Sequence, residues 1–367
     1  MAHHSGPQTL LYKLHIWSIH PPGLASEEEL TKERFAAASP SLEFTVLLIT
    51  SAVIATLGLV SNSPAVVIGA MIVAPLMDPI LSLAFGIAVG NRRLILKASA
   101  LISLGIGLVV ATSAGLTQLL SVDFVDQQIV SRTNPNLIDM LVAIAAGTVG
   151  AFVQSRRSLL NSLAGVAIAV ALVPPLCVTG IGINQSETIT VRLNQAIVPN
   201  LQHHVAGGSF LLFITNLLGI AAAGVAVFLV QRYGNPKRCL PYLLSWLVLL
   251  VVICMPLSTS LQDFTARRNV KSSFIQFQKK QINAPTAGEG HQKFWDSTTL
   301  AYVDAKLRDK KLDVSLVLEG PSIPNTKAVL KEAYGQLKEE LARQGSFDLE
   351  ARVSFIPANT YVFEDSQ

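Results

Sequence analysis

The residue with the clearest capacity for chemistry is Asp78, the single acid in the long apolar stretch 64–89. A carboxylate in such a stretch is costly unless it is paired, hydrated or protonated, so it marks a candidate binding site. Pro75 and Pro79 flank it, and because proline has no amide hydrogen, carbonyl groups one turn earlier lose their helical partners. Unpaired carbonyls beside a carboxylate suit an ion or a polar solute. The alternative is structural, with Asp78 capping the helix that restarts after the break.

A second proline break lies at Pro174 and Pro175, in the apolar stretch 159–183. The two breaks align without a gap when the sequence is slid by ninety-six residues, so that Pro79 meets Pro175. Each broken stretch has one further apolar stretch before it and one after it, and three crossings invert the second unit relative to the first. This pattern predicts an inverted 3+3 repeat with a site where the broken helices meet. The frequency of Gly and Pro in membrane helices is the alternative explanation.

Several polar residues near the breaks and near the start of stretch 64–89 complete the candidate site. We predict an ion- or solute-binding set of Asp78, Pro75, Pro79, Pro174, Pro175, Asn62, Ser82, Thr179 and Asn216. The alternative assigns Asn62 to a helix cap and the other three to hydrogen bonds between helices. The sequence has no nucleotide loop, nucleophile elbow, HExxH or paired catalytic carboxylates, and its three cysteines have no zinc spacing. We therefore expect no enzyme activity, no cofactor and no metal site.

These residues belong to a chain that is 50% hydrophobic and only 14% charged, so its apolar surface is expected to lie against lipid. A bilayer core requires about 20 apolar residues per helix. Seven stretches meet this requirement approximately, and we predict a transmembrane domain over 42–257. It comprises repeat one (42–120), repeat two (137–230) and an extra span (240–257). The seven stretches are 42–60, 64–89, 98–120, 137–153, 159–183, 205–230 and 240–257.

Short loops predict the orientation, because Lys and Arg concentrate on the cytoplasmic side. The loops on the side of the N-terminus hold eight basic residues, whereas the opposite short loops hold only Arg132 and Arg192. The segment 1–41 is therefore predicted to be cytoplasmic, and seven spans place the C-terminal domain on the opposite side. An eighth span or a missing one would reverse that placement.

The C-terminal part, 258–367, is predicted to be a soluble α+β domain of ββαβ order. Apolar residues alternate over 301–307 and 312–318, as expected for two strands. A helical pattern over 326–343 follows, and alternation resumes over 347–355 for a last strand. An alternative interpretation makes 297–308 helical.

Two stretches together resemble a known family. Ser61–Ile80 has the sequence SNSPAVVIGAMIVAPLMDPI, and Leu163–Leu176 has the sequence LAGVAIAVALVPPL. They resemble the hydrophobic membrane-protein family called domain of unknown function 389, over roughly 40–230. The best-matching positions are Asn62, Gly69, Pro75, Asp78, Pro79, Pro174 and Pro175. The resemblance implies a membrane protein of a prokaryotic plasma or thylakoid membrane and implies no substrate.

Taken together, the sequence predicts a transporter or channel for an ion or small solute, with Asp78 at its site. The alternative is a membrane-anchored sensor or scaffold that acts through the C-terminal domain. The expected partners are the bilayer, further copies in a homo-oligomer and the small solute. The net charge of +4 is too small and too scattered for a nucleic-acid-binding protein.

Overall fold

The computed structural model describes most of the chain as helices joined by short turns, with two small sheets. The described residues are 24–121, 124–133, 137–156, 172–185, 188–193, 196–202, 205–234, 236–283, 289–308, 311–321, 326–344 and 348–357. The helices are α1 Glu27–Ala37, α2 Leu42–Val60, α3 Pro64–Val73, α4 Met77–Val89, α5 Arg92–Leu119, α6 Gln127–Val130, α7 Leu137–Gln154, α8 Val173–Ile183, α9 Val205–Val230, α10 Pro236–Ile282, α11 Glu289–Ser297 and α12 Thr326–Gln344. The strands are β1 Phe124–Asp126, β2 Thr188–Leu193, β3 Ala196–Gln202, β4 Thr299–Arg308, β5 Lys311–Gly320 and β6 Asp348–Pro357.

Polar caps and a glycine set the boundaries of the first helices. The side chain of Ser41 accepts a hydrogen bond from Phe44 N (3.0 Å) at the start of α2, and Asn91 accepts one from Leu94 N (3.2 Å) at the start of α5. These side chains satisfy amides that have no partner inside the helix. α4 ends at Gly90, whose φ of 69° lies in the left-handed region that favours glycine.

Three of the described helices are long and apolar enough to cross a membrane: α2, α5 and α9. The pair α3 and α4 passes the same test jointly, although it bends by 52° at the break. α7 and α8 are shorter apolar helices, and the predicted span 159–183 is described only from residue 172 onward. The predicted span 240–257 lies within α10, which continues to Ile282. Seven spans and the inverted repeat therefore stay predictions, whereas the helical membrane-type architecture is observed.

The chain divides into two compact units. The helical unit contains α1 to α5, α7 to α9 and the first part of α10. Within it, α4 packs against α1, α5 and α9, whereas α8 packs against α5, α9 and α2. The second unit contains the rest of α10, the later elements, and the strands β1 to β3.

The second unit holds two three-stranded sheets. β1 pairs in parallel with β2, and β2 pairs antiparallel with β3 in a hairpin. The other sheet has the order β4-β5-β6, with β4 and β5 antiparallel and β5 and β6 parallel across α12. The predicted C-terminal sheet and its ββαβ order are thus observed. The alternative helix over 297–308 is wrong, because β4 occupies Thr299–Arg308.

Two hydrophobic clusters form the core of this C-terminal sheet and the helices on it. One contains Val270 of α10 together with residues of β4 and β5. The other is aromatic, since the Trp295 ring lies edge-on to Phe277 and Phe294 with ring centres 5.2 Å apart in each pair. Burial of such large side chains stabilises a small unit by about 1.5–3 kcal/mol per residue.

Candidate functional site

The break between α3 and α4 follows from its two prolines. Ala74 is extended, as the residue before a proline tends to be, and α3 therefore ends there. Pro75 and Leu76 form the turn, and α4 begins at Met77 with Pro79 in its first turn, where a missing amide costs nothing. The hydroxyl of Ser82 donates to Asp78 O (2.8 Å) within this turn.

Asp78 lies in the first turn of α4 and bonds to two side chains far away in sequence. Gln154 Nε2, at the end of α7, donates to Asp78 Oδ1 at 2.7 Å. Arg34 of α1 lies with Nη1 3.7 Å from the same oxygen, and it also donates to Gln154 Oε1. We call Arg34, Asp78 and Gln154 the charged cluster. No side-chain cap is formed at the start of α4, so the predicted capping role of Asp78 is not observed there.

The two charges of the cluster are unequally exposed. The Arg34 side chain is 8% exposed, whereas that of Asp78 is 58% exposed. Burial lowers the pKa of Arg34 and the Asp78 carboxylate raises it, but a guanidinium remains charged under any ordinary condition. Arg34 Nε has no hydrogen-bond partner among the described residues. A buried cation is thus held against a carboxylate that faces outward, and the positive end of α4 also favours that carboxylate.

Helix α1 is held at the cluster by contacts with three other segments. Tyr233 Oη donates to Ala25 O (2.8 Å), and burial raises the pKa of this tyrosine, which keeps it a neutral donor. Ala25 N donates to Ser155 O (3.0 Å), at the end of α7. Lys97 Nζ of α5 donates to Ser39 Oγ (2.6 Å), just beyond α1. These contacts with other parts of the helical unit fix the position of α1.

The contacts of Asp78 locate it toward one end of the helical unit. Arg34 precedes α2, and Gln154 is the last residue of α7. Leu76, at the break, faces Gly105, where an added Cβ would lie 2.9 Å from Leu76 Cδ2 and 3.6 Å from the Phe44 ring, near the start of α2. Asp78 thus lies beside Arg34 and the end of α7, just after the 52° bend between α3 and α4.

At the second predicted break, the described residues carry no charge. Pro174 and Pro175 lie in the first turn of α8, all of whose residues from Val173 to Ile181 are buried. Thr179 Oγ1 donates to Pro175 O (2.9 Å) and lies 3.0 Å from Ser209 Oγ of α9. The threonine thus adds a second hydrogen bond to a first-turn carbonyl, as Ser82 does in α4.

The structure does not bring all predicted site residues together. Asn62 lies between α2 and α3 with a positive φ of 53°, and its Oδ1 accepts from Gln128 N at 3.3 Å. Asn216 is buried in α9. The main neighbours of both α4 and α8 are α5 and α9 rather than each other. The first broken pair nevertheless contacts α8 directly through α3, and residues 159–171 of the second predicted broken span lie outside the described chain.

Two members of the charged cluster were missed at the level of sequence. Arg34 had a detectable signal, because it lies on the buried face of α1 between Leu30 and Ala38 at a spacing of four. A charge on the buried stripe of a helix implies a buried partner. Gln154 had no signal beyond its place at the end of an apolar helix.

The flanks of the two half-helices differ in polarity. Beside α8, Thr56 Oγ1 contacts Ser113 Oγ (3.0 Å), which donates to Cys177 O (2.7 Å). We call this contact of α2, α5 and α8 the hydroxyl junction. Beside α4, Gly224 of α9 faces Ala84 and Leu81, where an added Cβ would lie 2.9 Å and 3.3 Å from their side chains. We call this contact of α9 with α4 the apolar junction.

Comparison with known proteins confirms the resemblance seen in the sequence. The model of the family "Domain of unknown function (DUF389)" matches residues 71–222, which include both breaks. An uncharacterized protein of Methanocaldococcus jannaschii is 29% identical over 213 residues. That match covers 58% of this chain and 61% of the archaeal protein. Neither name specifies an activity, and the apolar helices indicate a membrane protein.

Proposed function

We propose that the protein is a membrane transporter or channel for an ion or a small solute, with its site at the charged cluster. One observation carries this proposal. Every residue of α4 from Pro79 to Ala88 is buried, but Asp78 at its start is 58% exposed and held by a buried arginine. A charged pair at a broken helix, open on one side and buried on the other, suits a solute site better than a purely structural contact.

The cluster suggests how a solute would act on the protein. A cation that approaches Asp78 competes with Arg34 for the carboxylate, and an anion competes with Asp78 for Arg34. Either event loosens the contact between α1 and α4, because the ion pair of Arg34 with Asp78 joins these two helices. Binding is thereby coupled to movement of α1.

The packing of the helical unit supports an inverted repeat. α4 contacts α9, and α8 contacts α5, so each half-helix packs against the last helix of the other predicted unit. Ala84 and Gly180 at these contacts are ninety-six positions apart, whereas Ser113 and Gly224 are 111 apart. The difference equals the fifteen residues of the hairpin Thr188–Gln202. An insertion of this hairpin into the second unit would explain both spacings.

The direct test is transport by the purified protein in liposomes, with currents recorded on a solid-supported membrane against inorganic ions and small organic anions. Asp78→Asn is expected to abolish the current that wild type gives. Glu43→Gln is the matched control, because Glu43 is an exposed acid in the first turn of α2. If wild type gives no current with any ion or anion of the panel, a transport function is contradicted.

The second candidate function is that of a membrane-anchored sensor or scaffold. It is favoured by the separate hydrophobic core that the C-terminal sheet forms with α10 and α11. Deletion of residues 258–367 separates the two functions, since a transporter retains flux and a scaffold loses every activity.

Within either function we place the N-terminus in the cytoplasm, the C-terminal domain on the opposite side, and the chain in a homo-oligomer. The side of the membrane from which single introduced cysteines are labelled tests the topology. The molar mass of the purified protein, measured by light scattering, tests the oligomeric state.

A further inference from the structure

The C-terminal sheet and α12 enclose a groove that the proposed transport site does not use. α12 crosses between the parallel strands β5 and β6, and alternate residues of β6, Val353 and Phe355, lie on the groove side. The groove has a volume of about 470 Å³, within the range of sites for small organic ligands. Its lining residues are Thr326, Lys327, Leu330, Lys331, Tyr334, Val353 and Phe355.

The floor of the groove continues into an apolar hollow beneath α12. The hollow shares Leu330, Tyr334 and Val353 with the groove. It extends to Phe274 and Phe277 of α10, and it is lined almost wholly by apolar atoms. Leu330 is only half-buried although it lies on the inner face of α12. The hollow itself has a volume of only about 20 Å³, so an apolar group of a ligand would lie in the groove against the partly exposed Leu330.

The rim of the groove is positive. Lys327 and Lys331 are exposed, lie one turn apart on α12, and both line the groove. The first turn of α12 has no acidic residue, and no acid is among the described lining residues. The amino end of a helix already carries partial positive charge, so lysines there are unfavourable unless an anion is nearby. The potential at this rim thus favours an anionic group.

We propose that this groove binds an amphipathic anion. Its carboxylate or phosphate group lies between Lys327 and Lys331 at the amino end of α12, and its acyl chain or ring lies in the groove against Leu330, Val353 and Phe355. The site belongs to the second unit alone and does not depend on transport through the helical unit.

The test measures binding of radiolabelled octanoate and octyl phosphate to the full-length protein in lipid nanodiscs, with empty nanodiscs subtracted. Saturable binding of both probes is expected, with little binding of octylamine, whose charge is opposite. The double variant K327Q/K331Q is expected to weaken binding at least tenfold. Val353→Trp, which fills the apolar side of the groove, is expected to weaken the binding of octanoate and of octyl phosphate. Lys338→Gln, an exposed lysine of α12 outside the groove, is the matched control and should bind as wild type does.

Two sources of the anion are distinguished in the same assay. Loss of octyl phosphate binding when the nanodisc contains phosphatidic acid assigns the site to a membrane lipid, and unchanged binding assigns it to a free amphipathic anion. The proposal is overturned if neither probe binds saturably, or if K327Q/K331Q binds as tightly as Lys338→Gln. Circular dichroism of each variant shows that the fold is retained, which is expected because both lysines are exposed.

Discussion

The two half-helices α4 and α8 occupy equivalent places in the predicted repeat but use polar groups in opposite ways. α4 begins with a charge, Asp78, and has the apolar junction on its flank. α8 has Pro174 at the position ninety-six residues after Asp78, and its flank carries the hydroxyl junction. The first half-helix therefore offers an exposed charge to a solute, and the second is tied into the bundle by buried hydrogen bonds.

This difference assigns separate tasks to the two breaks. Hydroxyls between apolar helices act mainly as interhelical hydrogen bonds, each worth about 0.6–2 kcal/mol. A carboxylate that remains exposed stays accessible, although its loss leaves a buried counter-charge without it. We therefore expect variants at α8 to change stability alone and variants at the start of α4 to change function as well.

The largest effect on stability is expected for Gly180→Ala. The added methyl group would lie 2.6 Å from Val110 O and 3.0 Å from Ala114 N, both of the α5 backbone. Gly224→Ala meets side-chain atoms of Ala84 and Leu81 instead, at 2.9 Å and 3.3 Å, and Leu81 can adjust. Overpacking costs about 1–3 kcal/mol, and we place Gly180→Ala near the upper value. Thermal unfolding of the purified variants in detergent measures both.

Gly115→Ala is the matched control for these two variants, because nothing lies within 4 Å of its added methyl group. It should leave the melting temperature unchanged or raise it, since alanine favours helix more than glycine does. Equal loss of stability in all three variants would remove the contrast between the two junctions.

The charged cluster should respond asymmetrically to loss of either partner. Asp78→Asn leaves the buried Arg34 with Gln154 as a hydrogen-bond partner and the Glu33 carboxylate as the remaining nearby charge, and is expected to cost about 1–2 kcal/mol, after allowance for the exposure of the pair. Arg34→Met leaves Asp78 hydrated and should cost less. A double-mutant cycle of thermal stability gives the coupling energy between Arg34 and Asp78. If both single variants lose the same free energy of unfolding, the asymmetry expected from a buried Arg34 and an exposed Asp78 is contradicted.

Ser113→Ala at the hydroxyl junction should lower the free energy of unfolding by about 1 kcal/mol, because it removes the hydrogen bonds to Cys177 O and Thr56 Oγ1. Ser103→Ala is the control on the same helix, because Ser103 is exposed. Thermal unfolding of the two variants side by side measures the difference. Equal stability of the two variants would mean that the junction does not tie α8 to the bundle.

The smallest effect is expected for the two hydroxyls that add a second hydrogen bond to a first-turn carbonyl. Thr179→Val removes bonds to Pro175 O and to Ser209, whereas Ser82→Ala removes only the bond to Asp78 O. We expect a loss below about 1 kcal/mol for each, and the larger one for Thr179→Val. The same thermal assay decides the order, and the reverse order would indicate that the α4 break needs its hydroxyl more.

Much of this architecture follows from the sequence because long apolar segments have strong signals. The predicted stretches 42–60 and 205–230 coincide with α2 and α9, and the C-terminal alternation gives the observed strands. The hairpin Thr188–Gln202 falls in a loop of the seven-span prediction, although its first strand alternates polar and apolar residues. Hydropathy also gives no account of the 52° bend, which sets the position of Asp78 relative to the helix ends.

The site was predictable only in part, for a related reason. Asp78 and its prolines stand out because their chemistry conflicts with an apolar stretch. Their partners do not, since Arg34 lies in a polar segment where charges are ordinary, and its burial depends on how α1 folds back on α4. Long-range pairing of this kind requires the tertiary structure.

The most direct test of the different tasks of the two half-helices compares currents of Asp78→Asn and Ser113→Ala in liposomes, with equal amounts of folded protein. We expect that the Asp78→Asn variant gives no current. The Ser113→Ala variant should give the wild-type current despite its lower melting temperature. A current that survives Asp78→Asn, or that both variants lose equally, would contradict the placement of the solute site at the charged start of α4.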